Sequence, residues 1–457
     1  MCENNTSYVD ELVARSRAAQ AQFAFATQEQ ADAAARAICK VTYDNAEMLG
    51  RMAFEESRMG CLEHKIAKCR NKSALIWNDI KDKKTVGIIN DLKDIRMLEI
   101  AKPMGVVASI VPSTNPVVTP MGNGASALKT RNSIIVAHHP RAIKLTQLLV
   151  KMYQDELVKL GLPADLILTL EQVSIEGSAK LMSSADVVVA TGGMGMVKAA
   201  YSSGKPAFGV GAGNVQCIVD EDVDLAEAAG KIITGRTFDN GLICLGEQTV
   251  FVPASKYDAF VAEMVKQGAY YVSDEESLEK LREGIFPNHG PINRAIVGQS
   301  VETIAKVLNL DVPAGTRVIM AKARGTGAQD DLCREKMAPV ISIMAYNTWE
   351  DGVRMMEENL EHEGKGHSIA VHSNNKDHVE YAAIRCCVSR VIVNQPSGTT
   401  GGGSTTNGFV PTTTLGCGSW GNNSFSGNFC YQHLMNTTRV GYPLDKAYLE
   451  DMADAWN

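Results

Sequence analysis

The sequence lacks a basic balance, a long apolar run and any ordered spacing of cysteines. Its 45 Lys and Arg stand against 52 Asp and Glu, a net charge of −7. That opposes polyanionic partners except at local basic sites, so no nucleic acid is expected. No window approaches a membrane span, and Met1-Cys-Glu-Asn-Asn-Thr-Ser-Tyr-Val-Asp10 has neither the basic nor the apolar region of a signal peptide. No membrane partner is expected. Eleven cysteines, an odd number without a CxxC pair, argue against a disulfide framework and a zinc site. The adjacent Cys386 and Cys387 are poorly arranged as two ligands of one metal. No metal is therefore expected, and the simplest compartment is a reducing cytoplasm. No internal repeat is visible. What is present is ordinary for a globular protein, 45% hydrophobic and 21% charged residues. A length of 457 residues allows about three domains.

Residues 8 to about 83 read as helical, with Thr27 and Gln30 spaced as a capping box and Gly50 and Gly60 punctuating later helices. Residues 85–90 and 95–100 read as a strand pair. Such a hairpin is either a local surface feature or an edge offered to another chain. From Gly105 short apolar runs at 106–111, 133–137, 166–170, 186–190 and 215–219 alternate with helix-length segments, the signature of an α/β fold with a mostly parallel sheet. A second α/β block runs from about 213 to 404, with a strand at 249–252, a long helical stretch at 255–285 and a helical pattern at 349–361. Residues 395–408 are rich in small and turn residues. A linker and an active-site wall both fit; a compact enzyme favours the wall.

Three segments could carry chemistry. Arg236-Thr-Phe-Asp-Asn-Gly-Leu-Ile-Cys244-Leu-Gly-Glu-Gln248 presents Cys244 on a turn before a strand, where a thiol can reach a substrate; a buried packing cysteine is the plainer alternative. Ala190-Thr-Gly-Gly-Met-Gly195 follows a strand and leads into a helix, which suits a phosphate or a nicotinamide. Lys198 occupies the third glycine position of GxGxxG, so a plain turn reads equally well. At the end of another strand, His138, His139 and Arg141 suit a phosphate, or else form a solvated basic turn. Asn115, past the strand at 106–111, could donate to an oxyanion, or simply form an Asn-Pro turn.

These segments together resemble the aldehyde dehydrogenase superfamily, and more closely its CoA-acylating branch. The resemblance is carried by Thr114-Asn-Pro, Lys129-Thr-Arg-Asn132, Ala199-Ala-Tyr-Ser-Ser-Gly-Lys-Pro206, Phe238-Asp-Asn-Gly-Leu-Ile-Cys244, Glu335-Lys-Met, Gly364-Lys-Gly-His367 and Leu415-Gly-Cys-Gly-Ser-Trp-Gly421. Ile233-Thr-Gly-Arg236, Val393-Asn-Gln-Pro396 and Phe409-Val-Pro-Thr-Thr-Thr414 resemble members that interconvert succinyl-CoA and succinic semialdehyde. The resemblance implies a Rossmann-type cofactor domain over 1–212, an α/β catalytic domain over 213–404, and an oligomerisation element made of the hairpin near 85–104 and residues 405–457. A homodimer or homotetramer is implied.

The resemblance also implies roles. Cys244 would be the nucleophile, Asn115 an oxyanion donor and His367 a proton carrier. Ser113, Thr114, His138, His139, Arg141, Thr191, Gly192, Gly193, Gly195, Gly211 and Glu335 would hold NADP, or NAD, with Arg141 pointing to NADP. Coenzyme A would be the co-substrate. Arg236, Ser397 and Thr399 would hold the succinate carboxylate. Gly209 falls where hydrolytic relatives carry a Glu general base, so water attack should be slow and a pantetheine arm would have room. Leu245-Gly246 departs from the small polar pair usual after the cysteine. No segment here resembles the iron-dependent alcohol dehydrogenase half of bifunctional relatives, so the chain is expected to stop at the aldehyde–acyl-CoA step. The alternatives are a neutral aldehyde such as butyraldehyde or acetaldehyde, a hydrolytic or phosphorylating semialdehyde enzyme, and an assembly protein on a dehydrogenase fold.

Overall fold

The computed structural model describes residues 2–444 and Trp456. Helices α1 (Cys2–Phe23), α2 (Gln28–Asp44), α3 (Ala46–Ser57) and α4 (Leu62–Ile80) come first. The Thr27–Gln30 capping box forms, with Thr27 Oγ1 accepting from Gln30 N and Gln30 Oε1 accepting from Thr27 N. Behind it Ala31, Ala34, Ala35 and Ile38 make a fully buried stripe, which packs on α5 (Val118–Lys129). Gly50 does not punctuate a helix. It lies inside α3, where a Cβ would come 2.8 Å from Ile66 N; the missing side chain lets α3 and α4 touch.

Strands β1 (Gly87–Leu92) and β2 (Met97–Pro103) form the expected hairpin. Strands β3 (Val106–Ile110), β4 (Ser133–Ala137), β5 (Ile167–Thr169), β6 (Val187–Thr191) and β7 (Ala207–Val210) form a parallel sheet of order β5-β4-β3-β6-β7. The chain leaves β3 toward β4 and β6 toward β7. The adjacent β3 and β6 therefore mark the switch point, where such sheets open a crevice at their carboxyl ends. Sequence pattern missed β7, a short run beside glycines.

Strands β8 (Val215–Val219), β9 (Glu247–Pro253), β10 (Ala269–Val272), β11 (Val318–Lys322), β12 (Val340–Tyr346), β13 (Ile369–His372) and β14 (Val391–Val393) build a second parallel sheet, order β10-β11-β12-β9-β8-β13-β14. The stretch 255–285 is not one helix. Gly268, at φ +103°, ends Tyr257–Lys266; the aromatic and β-branched run of β10 pairs with β11, and Asp274 caps a new helix at Glu275–Ile285. Strands β15 (Leu415–Cys417) and β16 (Ser426–Asn428) pair with each other, and β17 (Met435–Gly441) returns to pair with β2. Of the expected oligomerisation element, 445–455 and 457 lie outside the described residues. Among the described residues no helix is long and apolar enough to cross a membrane, and no His, Cys, Asp and Glu group could hold a metal.

One carboxamide joins these layers. Asn132 Oδ1 accepts from Met104 N at 2.6 Å and Gly105 N at 2.9 Å, while Nδ2 donates to Thr130 Oγ1 and Leu434 O. Asn132 is fully buried. Asn132→Ala strands two amides and a carbonyl, and is expected to cost about 2–4 kcal/mol in chemical denaturation. A loss below about 0.5 kcal/mol, the range of a surface substitution, would refute this account.

Candidate active site

Cys244 lies between the short turn Phe238–Gly241 and β9. Asp239, Asn240 and Gly241 all have left-handed backbone, φ +51°, +52° and +72°. Such a run persists only where its surroundings hold it. Asn240 Nδ2 donates to the carbonyls of Gly60 and Gly298, and Asp239 N donates to His64 Nδ1.

Two cavities meet at this loop. One, about 520 Å³, opens at the carboxyl ends of β3, β4 and β6; the other, about 540 Å³, lies between α4 and residues 398–406. Cys244, Asn115 and Thr413 line both. The thiol therefore stands in a shared wall and can be approached from either side.

The first cavity gathers most of the expected cofactor residues. Ser113 and Thr114 follow β3, His138 and His139 follow β4, and Thr191, Gly192 and Gly193 end β6; Gly211 and Glu335 close the side near Cys244. A Cβ on Gly193 would meet nothing within 4 Å, so bare backbone at the start of Met194–Tyr201 faces open space. His138 Nε2 is buried without a partner. Glycine backbone at a helix N-terminus, beside a switch-point crevice of this size, fits a dinucleotide. Gly195 and Arg141 do not line the cavity: Gly195 is exposed inside the helix, and the exposed Arg141 lies beyond His139, with Nη1 3.4 Å from Met59 Sδ.

Four expectations need correction. Arg236 does not face substrate. Its guanidinium is fully enclosed and donates to the carbonyls of Gly241, Gly246, Glu247, Lys336 and Ala338. Ser397 is also enclosed, with Oγ donating to Leu245 O and N donating to Glu247 Oε1. Thr399 alone of the three carboxylate candidates lines the second cavity. His367 is buried behind Gly213, where a Cβ would come 3.1 Å from its Nε2 and 2.4 Å from Cys244 O. It lines neither cavity, both ring nitrogens lack partners, and burial holds it well below its ordinary pKa. Gly209 sits within β7 against Tyr201 and Val197, away from the cavity, so it leaves no room for a substrate arm. Glu335 is the one carboxylate lining either cavity among the described residues.

Burial pushes the Cys244 thiol up to about 12, with the neighbouring Glu335 adding to the rise and Arg390 opposing it. Glu335 itself is pushed up to about 8 by burial and by Glu363. Arg390 is held in place by His367 O, Gly416 O and Ser368 Oγ. Sequence reading missed two cations on α4, Lys68 and Lys72, which line the second cavity. The signal was available: Lys65, Lys68 and Lys72 share the helical stripe of Cys69 and Ile76, where apolar residues belong. Lys72 Nζ donates to Gly402 O at 2.7 Å and Gly403 O at 3.2 Å; burial and then Lys68 bring it down to about 8.

A cysteine set between a dinucleotide-shaped crevice and a second pocket defines a thiol-dependent oxidoreductase. Comparison with known proteins agrees. Residues 2–282 match the aldehyde dehydrogenase family. The chain is 50% identical to succinate-semialdehyde dehydrogenase (acetylating) of Clostridium kluyveri, over 99% of this chain and all of that protein. A probable aldehyde dehydrogenase from Listeria monocytogenes superposes with a TM-score of 0.95 at 37% identity, covering 99% of each chain. An acetylating aldehyde dehydrogenase from Geobacillus thermoglucosidasius superposes at 0.94 with 34% identity, covering 98% of each. The chain belongs to the aldehyde dehydrogenase family, in its CoA-acylating branch.

A thiol held near 12 is protonated at neutral pH in the free protein. Alkylation of Cys244 by iodoacetamide should therefore rise about tenfold per pH unit from 7 to 9 without a plateau, because only the thiolate reacts. Cys244→Ala should abolish it. A plateau below pH 8 would show a thiolate already stabilised in the free protein.

Proposed function

We propose that this enzyme interconverts succinyl-CoA with succinic semialdehyde and CoA, using NADP(H). The observation that carries the substrate is Lys72. An ammonium has three donors, and Lys72 spends two on Gly402 and Gly403. The third is left for an anion in the second cavity, which contains no carboxylate of its own. A cation with a free donor, in a pocket whose other lining is apolar residues, hydroxyls, Asn71, Asn115 and the already bonded Lys68, suits an acyl chain ending in a carboxylate. The likeness to the Clostridium kluyveri enzyme supports the same reading.

In the reductive direction Cys244 first gives its proton to solvent, and the thiolate attacks the thioester carbonyl of succinyl-CoA. The carbonyl oxygen gains charge and is met by Asn115 Nδ2 and the Cys244 N–H. The C–S bond to CoA breaks, CoA leaves as thiolate, and the succinyl group stays on Cys244. The nicotinamide, when bound, supplies hydride to that carbon. Loss of the Cys244 sulfur then releases the aldehyde. Ser113, Thr114, His138, His139, Thr191, Gly192, Gly193, Gly211 and Glu335 would hold the dinucleotide. NADP is supported by the lack of any acidic residue in the cavity lining at the end of β4 among the described residues, and not by Arg141, which lies outside that lining. With Gly209 out of the site, slow water attack rests on Glu335, the one carboxylate lining either cavity among the described residues, which already accepts from Gly213 N–H.

The same reading takes 1–212 as the cofactor domain, 213–404 as the catalytic domain, and the sheet β1-β2-β17 as the oligomerisation element of a homodimer or homotetramer. Its edge strand β1 exposes Ile88 and Leu92. Ten described cysteines, all free, support a reducing cytoplasm.

The test is dinucleotide reduction with succinic semialdehyde and with butyraldehyde, with and without CoA. Activity should require CoA and favour succinic semialdehyde and NADP. Equal rates without CoA would make the enzyme hydrolytic. Lys72→Met should raise KM for succinic semialdehyde by about 10–100-fold, the worth of a charge-assisted bond, and leave butyraldehyde unchanged. An equal effect on both aldehydes would remove Lys72 as the anchor. Lys72 is charged below its pKa of about 8 and loses its proton above it. The KM for succinic semialdehyde should therefore climb above about pH 8 while that for butyraldehyde stays flat.

A further inference from the structure

The two halves of the site come from different sheets. Asn115 follows β3, whereas Cys244 precedes β9. Lys68, on α4, touches both sides. Its Nζ donates to Asn115 Oδ1 at 2.8 Å, to Thr114 O at 3.2 Å and to Asp239 Oδ2 at 2.5 Å. Asp239 belongs to the left-handed turn that leads into Cys244, and it is itself fully buried. Its other oxygen accepts from Cys61 N at 2.9 Å, and Lys65 adds a contact at 3.1 Å.

Counting donors separates Lys68 from its neighbour Lys72. All three N–H groups of Lys68 end on protein oxygens, so none remains for a substrate carboxylate. An ammonium cannot accept, so the group facing Lys68 must be the oxygen of the Asn115 carboxamide. Nδ2 is thereby turned away from Lys68 and donates to no protein acceptor among the described residues, on a residue that lines both cavities beside Cys244.

We propose that Lys68 is a positioning residue: clamped between Asp239 and Asn115, it fixes the Asn115 amide so that its N–H faces the oxygen of the substrate carbonyl, in register with the Cys244 loop. This rests on the reading of Asn115 as an oxyanion donor. It predicts that Lys68 acts on the transition state through Asn115, and not on substrate binding or on the thiol.

The test is acylation of Cys244 by p-nitrophenyl acetate. The thiolate attacks the ester carbonyl, the acetyl group passes to sulfur and nitrophenolate leaves, with no need of CoA or dinucleotide. Lys68→Met, Asn115→Ala and the double variant are compared with the unmutated protein. Asn115→Ala should slow acylation by about 10²–10³-fold, as for one oxyanion donor, and Lys68→Met by about tenfold or more. If Lys68 works through Asn115, the double variant should match Asn115→Ala within about twofold. Alkylation of Cys244 by iodoacetamide, which builds no oxyanion, should stay within about threefold in all variants. Lys68→Arg, which keeps a cationic donor, should recover most of the rate.

Multiplicative effects in the double variant would overturn the proposal, as would alkylation falling in step with acylation. A loss confined to KM for succinic semialdehyde would also overturn it, making Lys68 a second substrate cation. If Lys68→Met does not fold, the same cycle is run with Lys68→Gln, under the same criteria. Failure of the unmutated enzyme to use CoA would overturn the proposed reaction alone, because the acylation series uses no CoA.

Discussion

A single enclosed guanidinium holds the reactive loop. Arg236 sits at the end of its helix and gathers carbonyls from two directions, Gly241, Gly246 and Glu247 on one side and Lys336 and Ala338 on the other. A buried cation is tolerated only when its donors are satisfied, and here each acceptor lies on a backbone that must stay where it is. The loop bearing Cys244 is thus tied to the segment bearing Glu335. Asp239 ties the beginning of the same loop to α4 through Lys65 and Lys68. The Cys244 loop is thus held by charges bonded to backbone carbonyls and to one another.

That arrangement explains why the site combines rigidity with two approaches. The thiol lines both cavities, and the bonds to Arg236 and Asp239 fix the wall that carries it. The left-handed turn at Asp239, Asn240 and Gly241 lets the chain cross between cavities in few residues. Such backbone is costly, by about 1–3 kcal/mol per non-glycine residue, and the hydrogen bonds to Gly60, Gly298 and His64 offset that cost.

Much of the fold was legible. Runs of β-branched residues at 133–137 and 215–219 coincide with β4 and β8, because strands buried on both faces leave little freedom of composition. Gly50 misled for a physical reason: a glycine at a helix contact looks the same in sequence as one at a helix end. β10 was hidden inside a helical pattern because its neighbours on either side are strongly helical. In the site, the glycine loop and the Cys244 turn could be read from their turn chemistry. Arg236 could not, since a cation facing substrate and one wrapped by carbonyls differ only in tertiary surroundings. Lys72 is the converse, a charge on an apolar helical stripe whose meaning depends on what lies opposite.

The sheet β1-β2-β17 has a consequence for how the protein is made. Ala101 pairs with Thr437, so the hairpin finds its third strand only after the strands of both parallel sheets have been synthesised. Until then β2 presents an unpaired edge while both parallel sheets are already able to form. A nascent chain would thus pass through a stage with a complete Cys244 loop and an open ribbon edge, the condition under which unfinished chains associate wrongly. Pairing with β17 covers that edge of β2, so the ribbon would be closed later in synthesis than the Cys244 loop is made.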